Sequence, residues 1–142
     1  MTAPFRRLVR AQLLFALACA HAPPRPPPSA GYGLSRTQAV EVCFVPGETA
    51  YLKALRCPNG EPVRSDRLGP VGTRTQGPDG NDPRALQQMD PALALRPGEP
   101  DLHIVDAFRI DCGPLALTIY IDMYHCGAPL PEDAPQGLRL ER

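Results

Sequence analysis

The chain has 142 residues, enough for one domain at most, and its nineteen prolines and twelve glycines commit much of that length to loops. There is no tryptophan, and four Phe and four Tyr leave room only for a modest core. Fifteen basic residues, fourteen Arg and Lys53, balance fifteen acidic ones, which removes the electrostatic case for a nucleic-acid partner.

At the N-terminus Arg6, Arg7 and Arg10 precede the apolar stretch AQLLFALACA, residues 11–20, and the prolines of PPRPPP at 23–28 stop any helix continuing from it. The stretch is about half the ~20 residues that cross a bilayer as a helix. It has the length of the apolar region of an export signal, so residues 1–18 are read as a signal peptide. ACA at 18–20 would allow ordinary cleavage before His21 and free secretion. ALAC at 16–19 resembles a bacterial lipobox, in which the cysteine becomes the lipidated first residue. That resemblance implies a lipid on Cys19 and attachment to a membrane through it. It also accounts for the one cysteine left outside the spaced pairs. The Pro-rich segment 19–36 then serves as a tether, extended at ~3.1 Å per residue where it is polyproline-like. Removing residues 1–18 leaves twelve basic and fifteen acidic residues, a net charge of −3, with no basic patch for anionic lipid or nucleic acid.

From Thr37 the pattern becomes that of a folded domain, expected over 37–127, with 128–142 as a C-terminal tail. QAVEVCFV at 38–45 alternates as a strand does, and PGE at 46–48 reads as a turn. TAYLKALRC at 49–57 suits a short helix or an irregular strand. Residues 58–100 are punctuated by PNGEP, LGPVG, GPDGNDP and RPGEPD, each with the residues of a turn. One helix is expected inside this region, with Asp82 as cap, Pro83 in the first turn and RALQQM at 84–89, stopped or bent at Pro91. DLHIVDAFRIDC at 101–112 and LALTIYIDMYHC at 115–126 predict two long strands joined at Gly113-Pro114. Leu115, Leu117, Ile119, Ile121 and Met123 alternate with polar and aromatic residues, while Leu102, Ile104, Phe108 and Ile110 share a face. The fold expected is a small disulfide-stabilised α+β domain, mainly β, organised on a long C-terminal antiparallel hairpin with the Pro/Gly-rich middle wrapped over it.

Cys43 and Cys57 have the same thirteen-residue spacing as Cys112 and Cys126. In an exported chain four cysteines are two disulfides, with three possible connectivities. The hairpin excludes one. Cys112 sits at the turn and Cys126 at the far strand end, so about ten residues at ~3.3 Å separate them by roughly 30 Å, against the ~7 Å a disulfide allows. Of the two long-range patterns, Cys57 with Cys112 and Cys43 with Cys126 is preferred, because it lets the first strand lie against the last. Closing loops of more than fifty residues is worth ~4 kcal/mol each in the chain-entropy model.

His103, Asp106, Asp122 and His125 are metal-ligand types. Strand alternation, however, turns His103 away from Asp106 and Asp122 away from His125, so no metal and no cofactor is expected. Ser29, Ser35 and Ser65 are the serines of the exported part, and none lies in a nucleophile elbow. DGND at 79–82 lacks the spaced acids of a calcium loop. Asp122, Tyr124 and His125 together at a strand end offer a contact surface for a protein or glycan. The function expected is that of an exported bacterial cell-envelope protein, lipid-anchored, with a binding or structural role and no catalysis. The competing reading is a small secreted metal-dependent or hydrolytic enzyme using the 103–125 hairpin.

Overall fold

The computed structural model describes residues 27–75, 83–90 and 93–141. The signal peptide, Cys19, the first part of the tether, the DGND stretch with its Asp82 cap, and Pro91 lie outside the described residues. The elements run from a 3-10 turn at Arg36–Gln38 through β1 (Val40–Glu41), α1 (Phe44–Ala54), β2 (Leu55–Arg56), β3 (Arg64–Thr73), α2 (Pro83–Gln88), β4 (Ile104–Asp111) and β5 (Ala116–Asp122) to β6 (Arg139–Leu140). Four strands form a mixed sheet in the order β1-β5-β4-β3, and β2 pairs with β6 in a separate two-stranded ribbon. This is a mainly β, α+β domain with two disulfides.

β4 and β5 pair antiparallel from Val105–Asp122 to Asp111–Ala116. Gly113 turns the chain at φ 78°, a left-handed conformation that costs glycine little, and its N–H donates to Asp111 Oδ1 at 2.8 Å. Alternation sends Phe108, Ile110, Ile119 and Ile121 to one face, where they form the core with Val40, Val42, Tyr51 and Leu55. The two strands are not a freestanding hairpin that organises the rest. They are the centre of the mixed sheet, with β1 added parallel to β5 through Val40–Ile121 and Glu41–Asp122.

β1 is shorter than the strand expected at 38–45. The chain turns into α1 at Phe44, and the segment expected as a PGE turn becomes the first turn of that helix. Pro46 is tolerated there because a first-turn N–H has no intrahelical partner to lose. Glu48 and Tyr51 then face inward.

The middle segment departs furthest from expectation. LGPVG belongs to the ten-residue strand β3, paired with β4 from Arg64–Asp111 to Thr73–Ile104. Its register shifts between Arg67 and Gly69 and between Pro70 and Thr73. Gly69 and Gly72 have φ of 108° and 101°, so the apparent turn residues make bulges in an edge strand. The missing N–H of Pro70 is compatible with such an edge.

Both ends of the domain extend beyond 37–127. Gly33 accepts from Tyr120 N–H at 2.9 Å, and a β-carbon on Gly33 would lie 2.8 Å from Pro135 Cγ. Tyr32 and Leu34 pack on the core, so the residues next to Arg36 are folded rather than tether. The segment expected as a tail is also packed, because Pro135 and Leu138 are buried and β6 closes on β2. The disulfides are nested, Cys43 with Cys126 and Cys57 with Cys112, with Cα separations of 4.3 and 5.6 Å.

Candidate metal centre

Past Thr73 the backbone continues beside the approach to β4. Arg74 N–H donates to His103 O at 2.9 Å and Thr75 N–H to Asp101 O at 3.0 Å. From the other side the buried Gln88 side chain of α2 accepts from Leu102 N–H at 2.7 Å and donates to Pro100 O at 3.0 Å. Residues 100–103 are thus held between two elements before β4 begins.

Two aspartates shape the strand ends in the same way. Asp101 Oδ1 accepts from His103 N–H at 3.0 Å, and Asp122 Oδ1 accepts from Tyr124 N–H at 3.1 Å. Each side chain bends the backbone two residues on, as Asp does in turns. β5 ends at Asp122, so alternation no longer governs His125, and its ring swings onto the Asp122 side of the sheet. The expected separation of these side chains does not hold, for that local reason.

The result is a compact cluster. Asp101, His103, Asp122 and His125 each present one ligand atom, all within 4.8 Å of one another. Nδ1 of His103 lies 3.1 Å from Asp101 Oδ1, 3.4 Å from Asp122 Oδ2 and 3.2 Å from Nε2 of His125. That Nε2 lies 2.9 Å from Asp122 Oδ2 and 3.3 Å from Asp101 Oδ2. A tetrahedron with metal–ligand bonds of about 2.0–2.1 Å has edges of about 3.3 Å. The two imidazole nitrogens stand 3.2 Å apart and each lies 2.9 to 3.4 Å from an oxygen of Asp101 and of Asp122, close to that edge, although the two contacts of Asp101 use different oxygens and one atom per residue spans up to 4.8 Å.

Arg74 and Glu41 complete the surroundings. Arg74 reaches Glu41 Oε1 at 2.7 Å, Asp122 Oδ2 at 3.4 Å and Asp101 Oδ2 at 3.5 Å, and Glu41 Oε2 stands 3.7 Å from His125 Nδ1. With neutral rings, three carboxylates and one guanidinium leave a charge of −2. One dication, or two protons on the rings, cancels it. Burial opposes charging the imidazoles, but hydrogen bonds to Asp101 and Asp122 outweigh it, so His103 is pushed up to about 10 and His125 up to about 9. Burial likewise opposes the carboxylates, and the same hydrogen bonds hold Asp101 and Asp122 below the usual carboxylate range.

The residues read from sequence are redistributed. His103, Asp122 and His125 come together. Asp106 does not join them; it points to the α1 side and takes a double hydrogen bond from Arg67 Nη2, 2.8 Å to each oxygen. The contact surface expected of Asp122, Tyr124 and His125 loses Asp122, which is 0% exposed with its carboxylate turned inward. Tyr124 is half-buried between Phe44 and His103. Asp101 and Arg74 carried no functional reading in the sequence, although the Asp-x-His spacing at 101–103 was a usable signal. Beside the cluster lies a cleft of about 440 Å³ lined by Leu93, Leu95, Tyr124, Gly127 and both histidines.

No protein family, curated protein or solved structure matches this chain.

Proposed function

We propose that the protein is an exported cell-envelope protein, anchored through a lipid on Cys19, whose folded domain binds a transition-metal dication without catalysing a reaction. The observation that carries the metal reading is the set of ligand-atom separations among Asp101, His103, Asp122 and His125. Two imidazoles with two carboxylates suit zinc. Calcium and magnesium take oxygen ligands at higher coordination number and would leave the imidazoles unused. Four protein ligands fill a tetrahedron, which supports holding the metal over exposing it to a substrate. Glu41 behind His125 resembles the carboxylate that orients a metal-bound imidazole.

The competing hydrolytic reading draws on the cleft beside both histidines. It requires one carboxylate to leave the metal so that water can take its place.

Thermal shift of the purified mature protein tests the proposal. Zinc is expected to raise Tm, calcium to leave it unchanged, and Asp101→Asn with His125→Ala to remove the response. Equal responses to zinc and calcium, or a zinc response retained by both variants, would contradict it.

A further inference from the structure

Resting on that metal-binding reading, we propose that the Cys43–Cys126 disulfide is a redox lock on the site, opened by a dithiol reductant. The two disulfides stand in different surroundings. Cys57 is buried at 4% and Cys112 half-buried, whereas Cys43 is exposed and Cys126 half-buried. Cys126 directly follows the ligand His125, and Cys43 directly follows the segment that holds it. His125 N–H donates to Val42 O at 3.1 Å, Phe44 N–H to Met123 O at 2.7 Å and Val42 N–H to Asp122 O at 2.9 Å. These three bonds and the disulfide fix the strand end carrying Asp122 and His125 against residues 42–44.

That segment is under strain. Phe44 has φ 51°, a left-handed conformation unfavourable for a bulky side chain, and it persists where the surroundings over-determine it. The covalent link one residue earlier is such a constraint. Phe44 also meets Tyr124 edge-on at 6.5 Å, and the Tyr124 ring lies 5.5 Å from that of His103. When the dithiol reduces the bond, two electrons and two protons convert it to the Cys43 and Cys126 thiols, and the dithiol closes to its own disulfide. Phe44 is then free to relax to negative φ. Its N–H leaves Met123, the 123–126 segment loosens, and His125 no longer stands within a tetrahedral edge of His103.

The test uses oxidised mature protein, graded dithiothreitol, alkylation with iodoacetamide, desalting and titration with Co²⁺. Peptide mapping is expected to find Cys43 and Cys126 alkylated first, with Cys57–Cys112 intact and the far-ultraviolet circular dichroism unchanged. Co²⁺ affinity of that species is expected to fall by about tenfold or more, the size of effect that releasing one strained residue allows. Cys43→Ser with Cys126→Ser should show the same loss without reductant. Affinity within twofold of the oxidised protein, tighter binding than the oxidised protein, or first opening of Cys57–Cys112 would each overturn the lock while leaving the metal site standing. Failure of the oxidised protein to take up Co²⁺ would instead sink the metal reading, and the lock with it.

Discussion

His103 and His125 bring Nδ1 and Nε2 to 3.2 Å across two strand ends. Both rings cannot aim a proton along that line. Either each proton is directed at an aspartate, or a cation sits among the four ligands. Both arrangements neutralise the same −2, so metal uptake exchanges one dication for two ring protons.

That exchange gives stability a pH signature. The histidine values of about 10 and about 9 lie above the ~6.5 of an unfolded chain. Their contribution is therefore complete below about pH 6.5 and lost as pH rises through 9 to 10. Asp101 and Asp122 are shifted downward, so their contribution is present above about pH 4 and lost on acidification. In chelator, Tm is expected to be highest between roughly pH 4 and 6.5 and to fall on the alkaline side. His125→Ala should flatten the alkaline limb. A Tm that climbs from pH 7 to 10 in chelator would contradict the assignment.

Tyr124→Ala removes the ring that bridges Phe44 and His103. The residue is half-buried, so the loss is expected to be roughly 1–3 kcal/mol, below the ~3–5 of a fully buried aromatic. Urea unfolding measures it. Zinc affinity should weaken as well, because the His103 ring loses a wall. Unchanged stability and unchanged affinity together would make Tyr124 a surface residue.

The strands and the disulfides were legible because their rules are local and geometric. Ile119 and Ile121 follow a strict alternation, and a hairpin separates Cys112 from Cys126 whatever its neighbours do. β3 was hidden because Gly69, Pro70 and Gly72 serve turns and edge bulges equally well. The approach of His125 to Asp122 is hidden from the sequence because strand alternation does not extend past Asp122, where β5 ends. Asp101 precedes β4, and the hydrogen bonds it accepts from His103 N–H and Thr75 N–H place it, contacts that no periodicity shows. Arg74 reaches the cluster through strand-like pairing with residues 101–103, a contact far apart in sequence.

A second buried charge group lies on the α1 side of the sheet. Glu48 Oε2 is buried without a partner among the described residues. Burial first, and Asp106 second, raise its pKa, while Arg67 lowers it. The raised value makes Glu48 stabilising in acid and costly as pH rises through it. Arg67→Ala should cost roughly 1–3 kcal/mol at neutral pH through its lost hydrogen bonds to Asp106. In a Glu48→Gln background the cost should be smaller, because one carboxylate no longer needs compensation. Equal costs in the two backgrounds would show the groups to be independent.

Lipidation is checked separately from the fold. The mature protein is expected to partition into detergent, and Cys19→Ala to release or misprocess it. A soluble mature chain beginning at His21 would replace the anchor with ordinary secretion.

The visible absorption spectrum of the oxidised mature protein titrated with Co²⁺ reports directly on whether Asp101, His103, Asp122 and His125 hold a metal together. Intense ligand-field bands of tetrahedral cobalt are expected to saturate at one equivalent, to disappear when one equivalent of zinc is added, and to be absent in Asp101→Asn and His125→Ala. A spectrum no different from that of aqueous cobalt, or bands that survive both substitutions, would contradict the metal centre.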